Sequence, residues 1–201
     1  MQKLDFKLDE RISTKHRRKL REFCQTLGGD PVKLANELGL KVFEHELPDD
    51  EDGYISFDPR LDSESGFVIF LNKERSPERK RFTVAHEIGH FVLHRNEPEF
   101  IENLKDWKPI VQSHGTGNVI KFPLGKRSPA HKSATEGILA TVKLSPRLET
   151  EAHQFAANLL LPRYLVVNSP EFISGQPAAL ARRLGLSISF VVRRFEELYF
   201  N

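Results

Sequence analysis

The sequence predicts an α+β domain: helices first, then a small, mostly antiparallel sheet, then one long buried helix, then further helices. Three observations carry this. Short runs rich in β-branched and aromatic residues, bounded by turn residues, lie between about residues 41 and 71. Apolar residues at helical spacing recur on both sides of that stretch. Residues 81–94 combine apolar positions with histidines four residues apart, a spacing that aligns side chains only on a helix.

Residues 15–28 place Leu20, Phe23, Cys24 and Leu27 at helical spacing and end at Gly28-Gly29. Asp30-Pro31 then supplies an N-cap and a first-turn proline for a helix through Leu38. Lys41–Leu47 reads as a strand, and the acidic run from Pro48 to Gly53 as a turn. Tyr54–Phe57 and Gly66–Leu71 are two further strands, with residues 58–65 as a polar loop between them. Phe67-Val68-Ile69-Phe70-Leu71 is apolar at every position, which predicts burial on both faces and a central place in the sheet. Ser76-Pro77-Glu78 opens the long helix, with Ser76 as its cap.

That helix carries His86-Glu87-Ile88-Gly89-His90. Positions i and i+4 share a face, so His86 and His90 can aim imidazole nitrogens at one ion, and neutral imidazole is a good zinc ligand. Glu87 lies beside that ion, placed to take a proton from a water polarised there and return it to a leaving amine. The pattern is that of a zinc-dependent hydrolase, most often a peptidase. A third ligand is needed, and the segment from Pro146 to Pro162 offers it. It reads as a helix on which Glu149, Ala152, His153, Ala156 and Leu160 share a face. The small Ala152 and Ala156 permit close approach to the histidine helix. This favours Glu149 as ligand and His153 as a neighbour that orients a ligand imidazole. Glu151, on another face, is the second choice. His94, eight residues from His86, is expected near the site in a supporting role. Tyr54, His114 and His131 are expected at most to stabilise the oxyanion of a tetrahedral intermediate.

With both segments in view, the chain resembles the ImmA/IrrE family of bacterial metallopeptidases. The carrying residues run from Arg81 through His86-Glu87-Ile88-Gly89-His90 to His94, and from Glu149 through Ala152-His153 to Pro162. Leu38-Gly39-Leu40-Lys41-Val42 and Gly53-Tyr54-Ile55 look like the family's early elements. The resemblance spans roughly residues 28 to 165 and implies a zincin-like metallopeptidase domain with a gluzincin-like site: His86, His90 and Glu149 on Zn2+, with Glu87 as general base. It also implies a substrate, a helix-turn-helix repressor whose cleavage switches on a mobile element, a stress response or a defence operon. Two departures stand out. Position 153 is His where the family usually shows Asn or Asp, and the gap from His90 to Glu149 is long, which suggests an insertion over about residues 95–148. The expected organisation is therefore a metallopeptidase domain over 1–165 and a C-terminal helical region over 166–201.

Within the insertion, Trp107, a basic patch at Lys121 and Lys126-Arg127, and a strand over 137–144 are the readable features. Farther on, two helices are expected from Pro177 to the C-terminus, the second capped by Ser187. Leu180-Ala181-Arg182-Arg183-Leu184-Gly185-Leu186-Ser187 resembles a helix-turn-helix. Arg182, Arg183, Arg193 and Arg194 could meet phosphates, but few polar base-reading side chains follow Ser187, so nucleic acid is weakly supported as a partner.

Composition sets outer limits. The 201 residues are 39% hydrophobic and 29% charged, with no apolar run of membrane-spanning length. The N-terminus lacks the apolar stretch of a signal peptide, and the single cysteine, Cys24, excludes an internal disulfide; both predict a cytoplasmic protein. Cys24 is expected in the core, though a thiolate able to reach zinc would make a redox latch. The net charge of +2 does not point to nucleic acid. A different function class also fits the sequence: a regulatory module in which the zinc fold senses a signal or binds a partner and cuts nothing. The two readings separate at Glu87, which only the peptidase needs.

Overall fold

In a computed structural model, the chain is described over residues 10–106 and 144–200. The expectations at Trp107, His114, the basic patch and His131, and most of the strand expected over 137–144, lie outside the described residues.

Helix α1 (Thr14–Phe23) is capped by Ser13, whose side chain accepts from the His16 amide. Helix α2 (Pro31–Glu37) begins as the sequence indicates, with Asp30 accepting from the Val32 amide and Pro31 in the first turn. Leu20, Cys24, Leu34 and Ala35 turn inward from these helices and are essentially fully buried.

Strands β1 (Lys41–His45), β2 (Gly53–Phe57) and β3 (Phe67–Asn72) form one sheet in the order β1-β3-β2. The all-apolar β3 is central, as its composition requires. The sheet is not mostly antiparallel: β3 pairs antiparallel with β2 but parallel with β1. Both follow from β3 inserting between the two earlier strands, where it can bury both faces. Asn72, at the end of β3, donates its side-chain amide to the carbonyls of Leu47, Pro48 and Glu51 at 3.3, 3.1 and 2.9 Å. That clamp shapes the turn leading into β2.

Alternation along the strands sorts side chains onto two faces. Ile55, Ile69 and Leu71 enter the main core, whereas Val68 and Phe70 join Leu61 in a small cluster on the opposite face, with Phe43 and Tyr54 packed on it.

Helix α3 (Pro77–His94) is capped by Ser76 and runs through the middle of the molecule. Every residue from Thr83 to His94 is buried. A helix buried all round must have partners on several sides. Here β2 and β3 lie against it, α2 contacts it, and α5 (Pro146–Leu160) packs along it. The close approach to α5 depends on small residues: a Cβ at Gly89 would stand 3.2 Å from Ala152 Cα and 3.1 Å from a Phe155 ring carbon. Ala152 and Ala156 are themselves fully buried.

Helix α4 (Pro98–Asp106) follows α3 and sends Phe100 into the core. Its Glu99 accepts from the Ser145 amide at 2.5 Å, tying it to the start of α5. Two short helices not foreseen in the sequence, α6 (Arg163–Val166) and α7 (Pro170–Ile173), lead to α8 (Pro177–Leu184) and α9 (Ile188–Tyr199). Gly185 ends α8 in the left-handed conformation, and Ser187 caps α9 as expected. Of the four arginines here, Arg183 is held by both Glu171 oxygens at 2.6 and 3.0 Å, and Arg194 by Asn158, the Leu161 carbonyl and Glu197. Two of the expected phosphate contacts are thus engaged in packing the helices. Among the described residues, no helix is long and apolar enough to cross a membrane.

Candidate metal centre

One turn of α3 separates His86 from His90, and their Nε2 atoms lie 3.0 Å apart. Glu149, in the first turn of α5, reaches across to both, with carboxylate oxygens 3.2 Å from His86 Nε2 and 3.5 Å from His90 Nε2. These three side chains are a group whose ligand atoms all lie within 4.8 Å of one another. Two imidazole nitrogens and one carboxylate oxygen, converging at a largely buried point, match the kind of donor set that holds a zinc ion. The residues present therefore fit the ion that the sequence implies.

Electrostatics agree with a site built for a cation. Burial would raise the Glu149 carboxyl, but the His86 and His90 imidazoles facing it outweigh that and hold the group well below the usual carboxylate range. Burial pushes His90 down to about 4, leaving a neutral imidazole with a lone pair. For His86 burial acts in the same direction, yet the hydrogen bond to Glu149 and the charges of Glu87 and Glu149 raise it overall. His86 is the less buried of the two, with its side chain 11% exposed against 3% for His90.

Glu87 is buried beside these ligands, and burial raises it to about 7. The edge strand β2 packs against α3, the helix that carries it. A carboxyl that titrates near neutrality suits a group that must both accept and return a proton.

The remaining residues divide clearly. Glu151 does not reach the ligand cluster; its carboxylate lies 3.2 Å from His94 Nε2. His94 is fully buried, and its Nδ1 is 3.1 Å from His90 Nδ1. Phe100 stacks on His90, with ring centroids 5.9 Å apart and planes 12° from parallel. His153 packs edge-on against His86 at 4.5 Å, but its Nδ1 lies 3.0 Å from the Glu149 carbonyl of its own helix. It is exposed at the rim, and the buried His86 Nδ1 has no hydrogen-bond partner among the described residues. His153 thus meets the ligand His86 ring to ring, while its Nδ1 faces a carbonyl of its own helix. The expectation for Tyr54 is corrected. The tyrosine projects from the sheet face opposite the helices and packs on Phe70 at 5.2 Å, because its neighbour Ile55 takes the inward position. Cys24 is 1% exposed, its thiol faces the Leu159 carbonyl at 3.9 Å, and burial pushes it up to about 12. So placed, it cannot act as a latch on the site.

A groove of roughly 520 Å³ opens beside Glu149 and His153. It runs along α5 past Gln154 and Asn158 to Phe190 and Arg193 of α9. No local sequence signal marks it, since it arises where α3, α5 and α9 meet.

Residues 35–109 match the M78 peptidase family, described as the IrrE N-terminal-like domain. No curated protein matches the chain. Among solved structures, a Mycobacterium tuberculosis transcriptional regulator is similar over 91% of this chain at 17% identity, with a TM-score of 0.49. The chain spans 47% of that protein's length.

Proposed function

With the match over residues 35–109 supporting assignment to the ImmA/IrrE family, we propose that this chain is a zinc-dependent endopeptidase acting on a helix-turn-helix repressor. One observation carries the reading: His86, His90 and Glu149 converge from two helices on a single point, with buried Glu87 beside it.

A zinc ion held by His86, His90 and Glu149 supplies Lewis-acid polarisation of a scissile carbonyl and acidifies the attacking water. The protein's own groups do the rest. Glu87 takes the proton of the attacking water and returns it to the departing amine, and its carboxyl, poised near neutrality, serves both steps. The outer edge of β2 can align an extended peptide by backbone pairing, which needs little side-chain selection. The groove along α5 receives residues on one side of the cut.

The test is metal content in excess zinc, measured for wild type, Glu149→Ala and Glu87→Gln, together with incubation with a small helix-turn-helix protein encoded beside the gene. Wild type and Glu87→Gln are expected to hold one zinc each and Glu149→Ala to hold none. Only wild type should cleave the partner. A Glu87→Gln protein that still cleaves it sinks the mechanism. A folded wild type that takes up no zinc leaves the non-cutting regulatory module as the better reading.

A further inference from the structure

Behind His90 lies a chain of polar groups that the reaction does not use. His90 Nδ1 meets His94 Nδ1 at 3.1 Å, and His94 Nε2 meets the Glu151 carboxylate at 3.2 Å. Glu151 is held in turn by Arg11 at 2.7 Å and by Arg147 at 2.9 Å, and Glu97 lies within 3.7 Å of the first and 3.6 Å of the second. His94 has no exposed surface, so each of its nitrogens depends on these partners.

The direction of each hydrogen bond follows from what the outermost group can do. A carboxylate flanked by two guanidinium groups only accepts. His94 must therefore carry its proton on Nε2 and donate it to Glu151. Its Nδ1 is then a bare lone pair, which can only accept. His90 must donate from Nδ1, and this leaves its Nε2 unprotonated, facing His86 and Glu149. We propose that His94 and Glu151 are positioning residues: they fix the tautomer and ring orientation of His90 so that Nε2 is the metal-binding atom. The proposal rests on the metallopeptidase reading given above.

The arrangement explains why Glu151 is drawn to α3 without reaching the ligand cluster. It also treats the two ligand histidines unequally. His86 Nδ1 has no such support among the described residues, so the geometry of the pair is referred to His90. The far end of the relay is fixed by Arg11 from the turn before α1, 140 residues away in sequence. Metal binding is thereby joined to the docking of the N-terminal segment.

Two measurements test this. The first needs no substitution: long-range proton–nitrogen spectra of the histidine side chains in metal-free, otherwise native protein. His94 is expected protonated on Nε2 and His90 on Nδ1, and a His94 proton on Nδ1 overturns the relay whether or not the protein binds zinc. The second is zinc affinity by chelator competition. Outer partners of metal-binding histidines are worth about 10–100-fold in affinity, so Glu151→Ala should weaken zinc by that factor. Glu151→Gln, which keeps an acceptor oxygen but loses the charge, should fall between it and wild type. Arg147→Ala breaks an ion pair to the same carboxylate but leaves the His94 hydrogen bond, and should change affinity less than about threefold, since exposed pairs are weak. Equal affinity in wild type and Glu151→Ala overturns the proposal, as does an Arg147→Ala loss equal to that of Glu151→Ala. Absence of zinc binding in folded wild type instead removes the metallopeptidase reading, while the spectra still decide the relay.

Discussion

Substituting Gly89 by alanine is the sharpest probe of how α3 and α5 build the site. The added methyl would stand 3.1 Å from Phe155 Cδ1, 3.2 Å from Ala152 Cα and 3.3 Å from the Ala152 carbonyl oxygen. Carbon atoms pack best at about 3.5–4.0 Å, so the shortfall against Ala152 is a few tenths of an ångström. The Phe155 ring can turn aside, but the Ala152 contacts are backbone, and α5 must retreat. Glu149 lies one turn before Ala152 on that helix, and its carboxylate spans only 3.2 and 3.5 Å to the two imidazoles. Metal sites tolerate about 0.2 Å in ligand distance, so the retreat should show as weaker binding. Overpacking costs about 1–3 kcal/mol, while alanine is favoured over glycine in a helix by about 1 kcal/mol. The expected result is therefore 0 to about 2 kcal/mol lower stability of the metal-free protein and on the order of tenfold weaker zinc binding, about 1.4 kcal/mol. Denaturant unfolding of the metal-free protein and chelator competition read the two effects separately. A variant that is about 1 kcal/mol more stable and binds zinc unchanged would show that the helix contact is slack and the reasoning wrong.

Other outcomes follow from the same structure. Phe100→Ala removes a buried ring stacked on His90 and should cost about 3–5 kcal/mol in thermal or denaturant unfolding; a loss under 1 kcal/mol would mean α4 contributes little to the core. Cys24 should resist a thiol reagent until the protein unfolds, because its thiol is buried and pushed up to about 12; prompt labelling of native protein would contradict that placement. His16 is buried against Phe91, and burial lowers it to about 4 from 6.5. Between those values the unfolded chain binds the proton and the folded one does not. Its contribution is thus complete above pH 6.5 and lost toward pH 4, up to about 3 kcal/mol. Denaturation across that range should show a shallower acid slope for His16→Phe than for wild type; an unchanged slope would remove His16 as a source.

The caps and turns were legible because they depend on neighbouring residues alone. Ser13 and Ser169 cap helices without having been anticipated, while Asp30, Ser76 and Ser187 act where their sequence context puts them. The i, i+4 histidines were legible for the same reason. Glu149 could be preferred over Glu151 from the helix face and the small residues beside it, although that choice assumed which helix α5 would meet. Tyr54 lies away from the site because sequence spacing does not say which sheet face a side chain will find.

The sequence by itself determined that a buried helix would carry two imidazoles and a carboxyl on adjacent faces, and that an apolar strand would sit at the centre of the sheet. Those are consequences of helical and strand periodicity, which act over a few residues. Only the tertiary structure decided that Glu149 completes the cluster, that β1 runs parallel to β3, and that Arg11 closes on Glu151 behind His90. Each of these joins segments that local spacing cannot relate. The contacts of Glu149 and Glu151 with α3 depend on how closely α3 and α5 pack, with Gly89 set against Ala152, and the parallel pairing on β3 inserting between β1 and β2.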